Sequence, residues 1–477
     1  MNVLLIESPY DYGHLRSMVP SHFPLGLGYI AAFLREKGHN VHLLLDATKK
    51  RIEDELNTFQ PQVVGISCMT PTFPGALDIC LTVKEKCDAV TVLGGVHISA
   101  LKEEILPGQP QVDFLVYGEG EETMAELCQV LEQGGKDFSQ IRGLVWRPSA
   151  QRIQINKPRP YIRDINRLPF PARDLVDLSS LGIHRYVAMG RRSASMINSR
   201  GCPNECAFCS SRFTLGRGYR HRTADNVIAE VDELVQRYGI NHIYFEDDTF
   251  TALPDRTKEL CERLLLRNYD LTWNCLTRVD TMTEDLARLM KRAGCRMVSF
   301  GIESADQETL QKIHKKISLA QAEKAVEACY RARLRTQCTF ILGFPFDSYH
   351  SMLQTLHFAQ KLSPAIAMFF CLIPYPGTEL FKYLPPEQKP KEPDDWKKFV
   401  NYATFAITGS GISLAPGISG TELIKFSDKC HLRFYLRPKQ LWRMFLTLDS
   451  MEGFYNFLIS GWSLLHKVSQ TIFKLNY

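Results

Sequence analysis

Strand-like and helix-like apolar patterns alternate along most of this chain, and that alternation restricts it to the α/β class. In the first 140 residues, short apolar runs lie at 3–6, 41–45, 63–67, 89–93 and 114–117. Stretches of helical period separate them, as in the stripe Leu27, Ile30, Ala31 and Leu34. The pattern predicts an N-terminal Rossmann-like open parallel sheet over 1–140. Residues 141–192 lose the period at Pro158, Pro160, Pro169 and Pro171, which predicts a linker. Alternation then resumes, with strand candidates at 195–199, 242–247, 271–276, 297–302, 335–342 and 366–373. Ser318 and Gln321 have capping-box spacing ahead of one intervening helix. Six such repeats predict a partial (β/α)6 TIM-type barrel over 193–380, with its site at the C-terminal strand ends. A mainly helical, substrate-covering region is expected over 381–477.

The charge balance, 57 basic against 52 acidic residues with no long run of one sign, gives no reason to expect nucleic acid as the partner. The N-terminus has an apolar run without a basic flank, so no signal peptide is expected. No apolar stretch reaches membrane-spanning length. The fourteen cysteines then read as reduced thiols, and a cytoplasmic monomer is the expectation.

Three of those cysteines are clustered. Cys202, Cys206 and Cys209 form a CxxxCxxC loop directly after the first barrel strand. Three thiolates on one short loop suit a soft metal centre. Iron–sulfur clusters are commonly held by cysteine, and three ligands to a four-iron cluster leave one iron open. Spacing alone also allows a structural zinc site completed by His184 or His221, and it leaves both possible.

The segment around the cysteines, with Phe208 before the last of them, resembles the radical S-adenosylmethionine (SAM) superfamily. The later strand ends are similar to it in order: Glu246, Asp247 and Asp248 after the second strand, Arg278 after the third, Gly301 and Glu303 at the fourth, Gly343 and Pro345 at the fifth, and 372–378 at the sixth. The resemblance implies a four-iron four-sulfur cluster on the three cysteines. Phe208 and Gly343 would line the SAM site, a carboxylate among 246–248 would meet the SAM ammonium, Arg278 its carboxylate, and Glu303 the ribose hydroxyls. Read as residues alone, 246–248 could also be a solvated loop or a divalent-metal site, and Arg278 a partner of Asp280.

In the N-terminal half, Gly26, Gly28 and Ala31 with Asp46 fit the spacing of a dinucleotide fingerprint, but 9–24 separates them from the first strand, against a nicotinamide site. The domain is instead similar to the cobalamin-binding domains that precede many radical SAM barrels. Ser67, Met69 and Thr70, then Gly94, Gly95 and His97, then Gly118, Glu119 and Gly120 fall at C-terminal strand ends, where an open parallel sheet holds its ligand. A D-x-H-x-x-G motif is absent, so the resemblance implies a cobalt lower face that is open or approached by Met69 or Thr70.

Together these resemblances imply an enzyme that cleaves SAM to a 5′-deoxyadenosyl radical and methylates an unactivated carbon of a small-molecule or lipid-like substrate. A flavodoxin or ferredoxin would supply electrons. The alternative with the same cofactors is oxidative cyclisation or rearrangement; that of another class is a corrinoid or iron–sulfur sensing protein. Cys68, Cys80, Cys87 and Cys128 do not supply the further cluster pattern of methylthiotransferases. In the tail, Trp442, Phe445, Leu446 and 454–465 fit either packed helices or a lipid-facing surface.

Overall fold

The computed structural model describes residues 1–9, 22–181, 191–400 and 412–446. His184 and the apolar stretch 454–465 lie outside the described residues, as do the side chains of Phe445 and Leu446. Trp442 is exposed.

The first sheet contains β1 (Asn2–Glu7), β2 (Asn40–Leu44), β3 (Val63–Ser67), β4 (Val90–Gly94), β5 (Phe114–Val116), β6 (Leu144–Ser149) and β7 (Arg152–Ile155). Their order is β2-β1-β3-β4-β5-β6-β7, parallel through β5. Residues alternate between faces along β1: Leu4 and Ile6 join one buried cluster with Val64 and Ile66, while Val3 and Leu5 join another with Val63 and Val92. The order reverses between β1 and β3, so the strand ends there open a crevice. The antiparallel pair β6–β7 extends this sheet beyond the sequence-predicted boundary at residue 140. β6 opens with the buried run Leu144, Val145 and Trp146, but residues 149–155 are mostly exposed, so β7 lacks the apolar run that marked the earlier strands.

A short pair follows, β9 (Ser199–Arg200) against β10 (Arg220–His221), antiparallel. The second large sheet orders β8 (Ser193–Met196), β11 (His242–Phe245), β12 (Thr272–Thr277), β13 (Cys295–Glu303), β14 (Arg335–Leu342) and β15 (Ile366–Cys371) in sequence, all parallel. This is the expected six-stranded part-barrel. The segment predicted as its first strand divides instead into β8, inside the sheet, and β9, outside it. The Ser318 cap is present: Gln321 N donates to Ser318 Oγ at 3.2 Å, and Gln321 Oε1 accepts from Ser318 N at 2.8 Å.

An incomplete barrel leaves two sheet edges with unpaired backbone groups. Helix Gly420–Tyr435 covers β15: Tyr435 Oη donates to Ala367 O at 3.0 Å and accepts from Ala367 N at 3.1 Å, while Phe369 N donates to His431 Nε2 at 3.2 Å. On the β8 side, buried Arg173 donates to Ser195 O at 2.8 Å and pairs with Glu230 at 2.6 Å. Arg173 thus covers that edge. No helix among the described residues is long and apolar enough to cross a membrane.

Candidate functional site

The cysteine loop is held along its length. Gly201, at φ +83°, places a missing Cβ 2.4 Å from Gly218 O, so the chain turns there only because no side chain is present. Cys202 N donates to Gly216 O at 3.3 Å, Ala207 N to Ile313 O at 3.0 Å, and Glu379 N to Ala207 O at 3.1 Å. These bonds bury Ala207 and leave the three thiols half-buried. Cys206 and Cys209 carry thiol pKa values raised by burial, Cys209 to about 11, and the charges of Lys315 and Arg278 oppose the rise at Cys206. A bound metal centre would deprotonate them. His221 approaches the Arg222 carbonyl through Nδ1 at 3.3 Å and stands 6.2 Å from the Tyr219 ring. Among the described residues no three Cys, His, Asp or Glu side chains converge as ligands of a single ion.

Three consecutive carboxylates at the end of β11 point to three environments. Glu246 accepts from Ser195 Oγ and lines a cavity toward the first sheet. Asp247 is buried, accepts from Asn198 N at 3.1 Å and from Ser199 Oγ, and has its pKa raised by burial to about 6. Its oxygens tie β11 to the start of the cysteine loop. Asp248 accepts from Ser211 Oγ at 2.6 Å, beside Cys209. Asp248 therefore stands at the far end of the cysteine loop, beside Cys209, while Asp247 is occupied with structure.

Arg278 makes the salt bridge with Asp280 that its spacing allowed, donating from Nε at 2.9 Å and Nη2 at 2.8 Å. It also donates to Lys315 O at 3.0 Å. Glu303, in a left-handed conformation at φ +72°, accepts from Lys315 Nζ at 2.8 Å. Lys315 was not legible as a site residue; the available hint was a lysine between Ile313 and Ile317, both buried. Phe208 packs 6.2 Å from Phe344. Gly343, at φ +93°, would place a Cβ 2.4 Å from Leu423 of the edge-covering helix, so its lack of a side chain admits that helix.

Between the two large sheets lies a half-open cavity of about 380 Å³. Ser67, Gly94, Gly95, Gly118, Glu119 and Gly120 line it from the first sheet, and Ile197, Ser211, Leu215 and Glu246 from the barrel side. Apolar walls with few polar groups fit a cofactor site. Gly95 combines φ +106° with a Cβ position 2.3 Å from Cys68 O, which admits no other residue without movement.

Three expected cobalamin contacts are not among the lining residues. Met69 is exposed, Thr70 is buried, and Thr70 Oγ1 lies 3.3 Å from His97 Nδ1. His97 packs against Phe73 and Trp396 at 4.5 and 4.8 Å, with its Nε2 unpartnered among the described residues. Burial lowers its pKa to about 3. The helix starting at Val96 turns this ring into the core on the other face of the sheet. Glu119 does line the cavity, but Arg200, Arg220 and the Ile162 amide occupy its carboxylate.

Residues 196–359 match the family model of the radical SAM superfamily, and residues 15–128 match that of the B12 binding domain. An uncharacterized methyltransferase of Pyrococcus horikoshii is 32% identical over 92% of this chain and 94% of its own length. The chain belongs to the cobalamin-dependent radical SAM enzymes. The enzyme is also 27% identical, over 80% of its length and 70% of the relative, to an anaerobic magnesium-protoporphyrin IX monomethyl ester cyclase of Rubrivivax gelatinosus. Its fold matches the radical SAM methyltransferase TsrM of Kitasatospora setae, solved with cobalamin and a four-iron four-sulfur cluster, with a TM-score of 0.67 at 19% identity over 81% of this chain and 78% of that one. The family's cofactors are the four-iron four-sulfur cluster, SAM and cobalamin. The cysteine loop and the glycine-lined cavity are the places in this enzyme whose chemistry fits the cluster and the corrinoid.

Proposed function

We propose that the enzyme is a C-methyltransferase acting on an unactivated carbon of a small-molecule or lipid-like substrate. One observation carries the reading: the cavity at the glycine-rich ends of the first sheet is closed from the other side by Ser211 and Glu246, next to the cysteine loop. We read this neighbourhood as one space shared by two cofactor sites, as a substrate that must meet both requires. When bound, the cluster supplies the electron that cleaves SAM and cobalamin carries the methyl group.

The chain's own residues position and exclude. Cys202, Cys206 and Cys209 hold the cluster. Asp248 accepts the SAM ammonium, Arg278 faces its carboxylate and Glu303 its ribose, with Phe208 and Gly343 shaping the wall. Glu246 faces the shared cavity. A flavodoxin- or ferredoxin-like donor supplies electrons to a cytoplasmic, monomeric enzyme. The cyclase relative favours a second reading, oxidative ring closure without methyl transfer.

Anaerobic turnover of the reconstituted enzyme with SAM, a reductant and a candidate substrate separates the two. S-adenosylhomocysteine together with 5′-deoxyadenosine is expected; deoxyadenosine alone with a modified product supports cyclisation. Neither, even as slow uncoupled turnover, would leave a corrinoid or iron–sulfur sensing protein.

A further inference from the structure

The two halves of the enzyme meet through a buried set of ion pairs. Arg200, on β9, donates from Nη1 to Glu119 Oε1 at 2.9 Å and from Nη2 to Glu121 Oε1 at 2.6 Å. Its guanidinium also lies 4.8 Å from the centre of the Tyr29 ring. All three partners belong to the cobalamin-binding half: Glu119 follows β5, Glu121 opens helix Glu121–Glu132, and Tyr29 sits in helix Leu25–Glu36. Arg220, the cross-strand partner of Arg200, adds contacts to Glu119 at 2.8 and 2.9 Å. Two arginines balance two carboxylates, and the side chains of Arg200, Glu119 and Glu121 are each no more than 4% exposed.

Burying such a set adds little net stability, because desolvation opposes the Coulombic gain. Geometry is what it supplies. A guanidinium fork bonded to two separate carboxylates and stacked on a ring has its position and tilt fixed. Arg200 is two residues before Cys202, and the intervening Gly201 is wedged against Gly218 O. The chain has no slack there, since two residues span at most about 7 Å. At the other end, Glu119 lies between Gly118 and Gly120, both in the cavity wall. Moving either end of this clamp moves a cofactor site.

We infer that Arg200 is a positioning residue that holds the cysteine loop in register with the corrinoid cavity, through Glu119 and Glu121. The inference rests on the seam cavity being the cobalamin site. It assigns to Glu119 a role between the two sites in place of direct contact with the corrinoid.

The test compares wild type, Arg200→Met, Arg200→Lys and the milder Glu119→Gln as full-length proteins with reconstituted clusters. Four quantities are read: iron content, hydroxocobalamin affinity by absorbance, deoxyadenosine formation from SAM and dithionite without substrate, and the EPR relaxation of the paramagnetic cobalt(II) form near the reduced cluster. In Arg200→Met, affinity is expected to fall about tenfold more than the deoxyadenosine rate, with slower cobalt relaxation as the centres separate. Arg200→Lys restores charge without the fork and is expected to fall between. Should Arg200→Met prove insoluble, Glu119→Gln carries the same split. Affinity and relaxation unchanged within twofold, or all quantities falling in proportion to thermal stability, overturn the inference. If wild type binds no hydroxocobalamin, the cofactor reading fails separately. Amide hydrogen exchange of the cobalamin-free protein then decides the clamp: faster exchange confined to 116–123 and 199–202 in Arg200→Met supports it, and an unchanged pattern overturns it.

Discussion

Lys315 Nζ lies 2.8 Å from Glu303 Oε1, with both side chains buried beside Cys206, and Arg278 reaches the Lys315 carbonyl from the end of the neighbouring strand β12. Removing one member of a buried pair leaves an uncompensated charge, at a cost of about 3–5 kcal/mol. Lys315→Met is therefore expected to destabilise the enzyme by about 3 kcal/mol in chemical denaturation. The double variant Lys315→Met with Glu303→Met is expected to be more stable than Lys315→Met alone. Additive losses would show that the two residues act independently.

Gly95 tests the cavity wall. Alanine there meets Cys68 O, a backbone atom that cannot yield, while holding φ at +106°. Gly95→Ala is expected to lose about 2 kcal/mol or more in denaturant stability. Gly75→Ala, in helix Phe73–Lys86 with Ser8 Oγ 3.4 Å from the added atom, should stay within about 1 kcal/mol of wild type.

Glu7 ends β1 and faces Glu246 across the seam; burial first, and that charge second, raise its pKa to about 7. A raised carboxyl pKa means the folded enzyme holds a proton that the unfolded chain releases near 4.5. Between these two values stability falls as pH rises. Glu7→Gln removes the titration. It should be more stable than wild type at pH 8, by on the order of 2–3 kcal/mol, and nearly equal to it at pH 4. Thermal melts at the two pH values give the comparison, and a constant difference would count against the assignment.

The covered edge of β15 gives a fourth expectation. Tyr435→Phe removes the hydroxyl that serves both Ala367 N and Ala367 O. Leaving these groups without a partner is expected to destabilise by about 1–3 kcal/mol. Exchange of the Ala367 amide should accelerate, while amides in β12, deep in the sheet, keep their rates.

What the sequence shows directly is carried by contiguous residues. Cys202, Cys206 and Cys209 lie within one loop, so spacing alone brings three thiols together. The later barrel strands, such as β14 and β15, carry apolar runs that are legible without knowing what they pack against, whereas β8, with two serines in four residues, is not marked off from β9 by any such run. The glycines at 94, 95, 118 and 120 mark strand ends for the same reason. Helix direction is less legible. His97 follows two of these glycines, yet its ring enters the core against Phe73 and Trp396, because the turn at Gly95 decides which face of the sheet it meets.

Thus the sequence by itself determined the α/β class, the succession of two parallel sheets, the cysteine loop and the family's cofactor chemistry. Pairings between distant residues were decided only by the tertiary structure. Arg200 and Glu119 are 81 positions apart, and Glu303 meets a lysine from the following loop rather than from a neighbouring motif. The reason is physical: local periodicity fixes which face of an element is apolar, whereas the partner of a buried charge depends on where two elements from different sheets come to rest.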